Sequence, residues 1–121
     1  MSYISFFSAD KKEDLSDKVR NTPLDTKSKR LVALMMKASF EAGINIKHMD
    51  ADAPASRMMQ KRDYERAIEA LAKKLVPNLR ELAQRLTQFS YDRGFNEENN
   101  TNINYLLRRM GCRQMPKAVY S

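Results

Sequence analysis

Between residues 64 and 89 the apolar positions recur at a helical period: Tyr64, Ile68, Leu71, Leu75, Leu79, Leu82, Leu86 and Phe89 stand 4, 3, 4, 4, 3, 4 and 3 residues apart. Such steps keep one face of a helix apolar and do not fit the alternation of a half-buried strand. From residue 54 to 93 the pattern is helical almost throughout, interrupted only by Pro77. A proline lacks the N–H donor and crowds the preceding turn. Unbroken, the segment would span about 60 Å, too long for a compact chain of this mass. Two outcomes satisfy the pattern. Either the chain breaks sharply at Pro77 into two helices, or one long kinked helix buries its seam against a second copy, making a homodimer.

Residues 22–42 form the other long element. Thr22 stands as N-cap, Pro23 suits the first helical position, and Asp25 completes a capping-box-like pattern. Gly43 is placed to end the helix in the left-handed conformation. Leu31, Leu34, Met35, Ala38 and Ala42 share one face, and Val32, Met36 and Phe40 make a second apolar stripe. So wide an arc predicts a central helix covered from two sides. In the connection 43–53, Ile44 and Ile46 alternate with polar residues, which predicts a short extended piece, and a new helix begins at Pro54.

Towards the C-terminus, Asp92-Arg93-Gly94 is expected to close the preceding element. The asparagine-rich stretch 96–104 reads as a loop running into an N-cap, because Asn side chains compete for backbone hydrogen bonds. A short helix over 102–110 then carries Ile103, Leu106, Leu107 and Met110 and stops at Gly111. Residues 1–21 read as an N-terminal arm, in which Leu15 and Val19 form one side of a short helix, while Phe6 and Phe7 either dock on a partner or pack on the chain's own core. The expectation is a single all-α domain over residues 22–121, a small bundle of four or five helices, with 22–42 and 54–76 as its central pair.

Composition supports this fold class. The 121 residues fit one domain, and 3 Gly and 4 Pro supply few of the turns that a β-rich fold needs. The single cysteine, Cys112, excludes an intramolecular disulfide. Small secreted domains usually need such staples, so a cytoplasmic protein is expected. No apolar run approaches the roughly 20 residues of a membrane span, and no membrane partner is expected.

The net charge of +7 is unevenly spread: +1 over residues 1–53, +4 over 54–93 and +2 over 94–121. A surplus of this kind favours anionic partners, nucleic acid or an acidic protein. On residues 54–93, Arg57, Lys61, Arg62, Arg66, Lys73, Lys74, Arg80 and Arg85 point mostly away from the leucine seam. Glu65, Glu69 and Glu81 interleave them, with Glu69–Lys73 and Glu81–Arg85 at the favourable four-residue spacing. Arg62 and Arg66 are the phosphate-contact candidates of this stretch. Tyrosines and phenylalanines do not alternate with these bases, so stacking on single strands is not expected.

A second basic area lies near the C-terminus. Leu107-Arg108-Arg109-Met110-Gly111-Cys112 resembles the first helix and turn of a helix-turn-helix unit. That resemblance implies phosphate contacts from Arg108 and Arg109, with Arg113, Gln114 and Lys117 near the groove. The alternative is a plain two-helix turn with solvated arginines. The methionine pairs Met35-Met36 and Met58-Met59 are either core or a flexible binding surface.

Catalysis has the thinnest support. One histidine, His48, and one cysteine offer a single nucleophilic pair, and nothing around Cys112 suggests a reactive thiol; it reads as a buried structural one. His48, Asp50 and Asp52 alternate, but with no second cluster they make a weak metal site, and helix capping and solvation account for them. No glycine-rich phosphate loop is present, since Gly43, Gly94 and Gly111 stand far apart. The expectation is a non-enzymatic regulatory or accessory protein without metal or cofactor. It binds nucleic acid, DNA before RNA, or else acts as an adaptor or inhibitor whose helical faces meet an acidic protein.

Overall fold

Five helices make up the computed structural model, which describes residues 11–49, 52–97 and 99–112. They are α1 Lys12–Arg20, α2 Thr26–Lys47, α3 Pro54–Ala72, α4 Pro77–Glu97 and α5 Thr101–Arg109. Phe6 and Phe7 of the arm lie outside the described residues, as does everything after Cys112.

In α1, Leu15 and Val19 are buried one turn apart, as their spacing predicts. Glu13 and Asp14 in its first turn and Lys18 and Arg20 in its last complement the helix dipole. Thr22 closes this helix instead of opening the next, since its hydroxyl donates to the Lys18 carbonyl at 2.6 Å. The N-cap of α2 is therefore Asp25, whose carboxylate accepts the Ser28 N–H at 2.7 Å. That hydrogen bond, with the Lys27 charge adding to it, holds the Asp25 carboxyl below its ordinary pKa.

The two glycines expected to end helices lie inside them. α2 runs through Gly43 to Lys47, and α4 runs through Gly94 to Glu97, so Ile44 and Ile46 are helical and not extended. A Cβ on Gly43 would sit 2.3 Å from the Tyr91 carbonyl oxygen, and one on Gly94 would sit 2.1 Å from that of Phe40. Both positions are thus points where α2 and α4 approach backbone to backbone. Gly111, with φ of +82°, does stop α5 as expected.

α2 packs far more extensively on α4 than on any other helix. These two, and not residues 22–42 with 54–76, are the central pair. Their contact buries Val32, Met35, Met36 and Phe40 against Leu79, Leu82, Leu86 and Phe89. α1 and α5 pack on each other and on α4, adding Leu15, Ile103, Leu106 and Leu107. α3 lies outside, against α2 and more lightly against α4, and none of its residues is buried. The reason is its sparse apolar content: Tyr64, Ile68 and Leu71 make a single half-buried stripe. Leu34, expected on the packed face of α2, is exposed.

The chain breaks at Pro77, which is the first residue of α4. Leu75, Leu79, Leu82, Leu86 and Phe89 are consumed by the chain's own core, so this part of the seam offers no face to a second copy, and the long-helix dimer is not the arrangement adopted. No helix among the described residues is long and apolar enough to cross a membrane.

Candidate functional site

Because Tyr64, Ile68 and Leu71 turn α3 inward, its other side is fixed by helical period. Met58, Arg62 and Arg66 lie in one row at four-residue steps, and all three are exposed. The methionine pairs take opposite fates: Met35 and Met36 are fully buried, whereas Met58 and Met59 are 62% and 65% exposed. Lys73 and Lys74 continue the basic surface just past the end of α3 and are exposed as well.

The eight cations of this region divide by their partners. Arg57 donates through Nε to the Ile46 carbonyl at 3.2 Å and through its terminal nitrogen to that of Lys47 at 3.1 Å. Arg80 does the same to Leu75 at 3.2 Å and Lys73 at 3.3 Å. Each arginine thus caps the carbonyl end of the preceding helix or its closing turn, where unpaired acceptors and the negative dipole end collect. Both belong to the same local motif, Pro54-Ala55-Ser56-Arg57 and Pro77-Asn78-Leu79-Arg80, with the proline opening a helix in each case. Arg85 pairs with Glu81 at 3.9 Å, while the Glu69–Lys73 pair suggested by spacing does not form. Among the described residues, Arg62, Arg66, Lys73 and Lys74 enter no ion pair. All four are exposed.

Arg108 and Arg109 are exposed at the end of α5. Arg109 lies 5.1 Å from the Tyr105 ring centre and donates to the Tyr105 hydroxyl at 3.4 Å, and Lys12 stands 4.7 Å from the same ring. The Arg109 bond, followed by one involving Ser16, lowers the Tyr105 pKa. Arg113, Gln114 and Lys117 lie outside the described residues. α5 rests on α1 and α4, and α3 on α2 and α4, so the helices that carry the two arginine groups share only α4 as a neighbour.

Sequence reasoning missed a third cluster, because three helices supply it. Tyr64 from α3 stacks on Tyr91 from α4 at 5.2 Å between ring centres, and Tyr91 stacks on Phe95 one turn on at 6.3 Å. The Lys61 ammonium lies 5.5 Å from the Tyr91 ring centre, and that of Lys47 lies 5.6 Å from the Phe95 ring centre. The Tyr64 hydroxyl donates to Ser39 Oγ at 2.9 Å, and Ser39 donates to the Met35 carbonyl at 2.7 Å. Burial raises both phenols, Tyr64 strongly and Tyr91 to about 12, with Asp92 and Glu65 pushing the same way. The local signals were Lys61 three residues before Tyr64 and Tyr91 four before Phe95, which put each pair on one helix face.

A cleft of about 450 Å³ separates α3 from α4 above Met35, with Glu65, Glu69, Lys73 and Arg80 on its walls. Its lining carries both signs of charge. His48 and Asp52 are exposed, and Asp50 lies outside the described residues. Cys112 is half-buried at the edge of the core rather than fully enclosed, and desolvation raises its thiol pKa against a smaller lowering by the Lys29 charge. No family model, curated protein or solved structure matches this chain.

Proposed function

We propose that this chain is a small basic accessory protein of the cytoplasm that binds nucleic acid through phosphate contacts and performs no catalysis. The observation that carries the reading is the pair Arg62 and Arg66: exposed, one turn apart, outside every ion pair among the described residues, on a helix with no buried residue. Lys73 and Lys74 extend the same surface, and the chain's net charge of +7 steers polyanions towards it. Arg108 and Arg109 supply a second basic point on α5. DNA is preferred to RNA because a B-form major groove admits a helix, whereas the deep, narrow major groove of A-form RNA does not.

The test is binding to a labelled random duplex across a salt series. Each phosphate contact contributes about −0.9 to the slope of log K against log salt. Arg62→Gln with Arg66→Gln should flatten that slope by roughly 1.8. Absence of binding to duplex and to single strand alike at low salt would reject the reading.

Met58 and Met59 favour a second reading, a protein-interaction module acting as adaptor or inhibitor. Two exposed, adaptable apolar side chains beside Arg62 suit an acidic partner with an apolar anchor. Met58→Ser with Met59→Ser would then abolish capture of that partner, while leaving duplex binding unchanged if the first reading holds.

A further inference from the structure

Resting on the nucleic-acid reading, we infer that the preferred ligand is single-stranded and that one base stacks on Phe95, taking the place of the Lys47 ammonium, which moves to an adjoining phosphate. Tyr64, Tyr91 and Phe95 form a column with neighbouring planes only 23° and 19° from parallel. The inner part of the column is firm: Tyr91 is buried, and Tyr64 is held by its bond to Ser39. Phe95 ends the column half-buried, and the cation beside it belongs to an exposed lysine at the last residue of α2.

A base stacks on an aromatic ring more strongly than an exposed ammonium does, and it brings its own phosphate beside the lysine it displaces. The exchange therefore keeps Lys47 paired with negative charge. Glu65 and Asp92 act on the phenols of Tyr64 and Tyr91, so the inner rings are poor places for a phosphate. The outer end carries the Lys47 ammonium. Lys61 and Arg57 lie on the same side of the bundle, with Lys61 at Tyr91 and Arg57 lowering that phenol's pKa. Bases of an intact duplex are already stacked on one another and offer no free face to Phe95, which is why the site selects single strands.

Fluorescence anisotropy with a labelled 15-nucleotide oligo-dT and a 15-base-pair duplex decides the matter. The whole chain should bind oligo-dT the more tightly. Phe95→Leu, which keeps apolar bulk but removes the ring, should weaken oligo-dT binding roughly tenfold and change duplex binding less than twofold. Phe95→Tyr should restore it. Lys47→Gln, an exposed change that leaves packing alone, should flatten the oligo-dT salt slope by about 0.7. Duplex binding without oligo-dT binding, or wild-type oligo-dT affinity in a folded Phe95→Leu protein, would overturn the single-strand inference alone. Binding to neither oligonucleotide at low salt would overturn the nucleic-acid reading with it.

Discussion

Replacing Gly94 by alanine adds one methyl group at the tightest point of the fold. On an unencumbered helix interior the change would stabilise by about 1 kcal/mol, because alanine is the better helix former. Here the new Cβ would stand 2.1 Å from the Phe40 carbonyl oxygen and 3.0 Å from the Phe40 carbonyl carbon, where ordinary contact begins near 3.4 Å. Both atoms are helix backbone, so no side chain can turn aside. α2 and α4 must part by about 1 Å, and a gap of that size already forfeits a quarter to a half of the dispersion energy of each contact across it. The pair encloses Met36, Phe40, Leu86 and Phe89, so the loss falls on the centre of the core. Overpacking of this kind costs about 3 kcal/mol at the upper end of its usual range, which leaves a net destabilisation of about 2 kcal/mol after the propensity gain. For a domain of this size that is a fall of about 8 °C in melting temperature. Circular dichroism at 222 nm with thermal and urea unfolding measures it, and the urea m-value should not change. A Gly94→Ala protein that melts at or above the wild-type temperature would show that helix propensity prevails and that the close crossing is not there.

Four further outcomes follow from named contacts. The Asp25 carboxyl has a depressed pKa in the folded chain, so its contribution is complete above the unfolded carboxylate value near 3.9 and is lost as pH falls through the folded value. Asp25→Asn, which keeps an N-cap acceptor, should therefore melt like wild type at pH 7 but lose less stability between pH 5 and 2. Arg57→Met and Arg80→Met should each destabilise by about 1 kcal/mol by leaving helix-end carbonyls uncapped, with no change in the salt slope of DNA binding; the opposite split is expected for Arg62 and Arg66. In a spectrophotometric pH titration Tyr105 should ionise early, its phenolate favoured by Arg109, whereas Tyr91 should not ionise until about pH 12. Because both phenols have raised values, stability should hold below pH 10 and fall above it, and Tyr64→Phe with Tyr91→Phe should remove much of that fall.

The heptad-like spacing from Tyr64 to Phe89 was enough to read a helical fold, and Pro77 and Gly111 marked real boundaries because a missing donor and a positive φ act locally. Gly43 and Gly94 misled for the opposite reason. A glycine that ends a helix and one that admits a crossing neighbour look alike until the second helix is placed. Thr22 and Asp25 are both good caps three residues apart, and the choice rested on Thr22 already serving the end of α1. The central pair was misassigned because Tyr64, Ile68 and Leu71 continue the leucine pattern without a broad enough face to be enclosed. At the candidate site, Arg62 and Arg66 were legible from period alone, being opposite the seam. Arg57 and Arg80 were not, although the repeated Pro-x-x-Arg spelled out their task. The aromatic column was beyond reach, since Lys47, Lys61, Tyr64, Tyr91 and Phe95 become neighbours only when α2, α3 and α4 converge.

The position of α3 separates two properties that small domains usually have to trade against each other. Its two ends are fastened by main-chain acceptors, Arg57 holding its start to α2 and Arg80 gripping the turn behind it. Its middle adds only a half-buried stripe, Tyr64, Ile68 and Leu71, to the edge of the core. Substitutions along its outward row can therefore retune charge and stickiness while the packing of α2 on α4 stays untouched. A chain built in this way can change its outward surface without relearning how to fold.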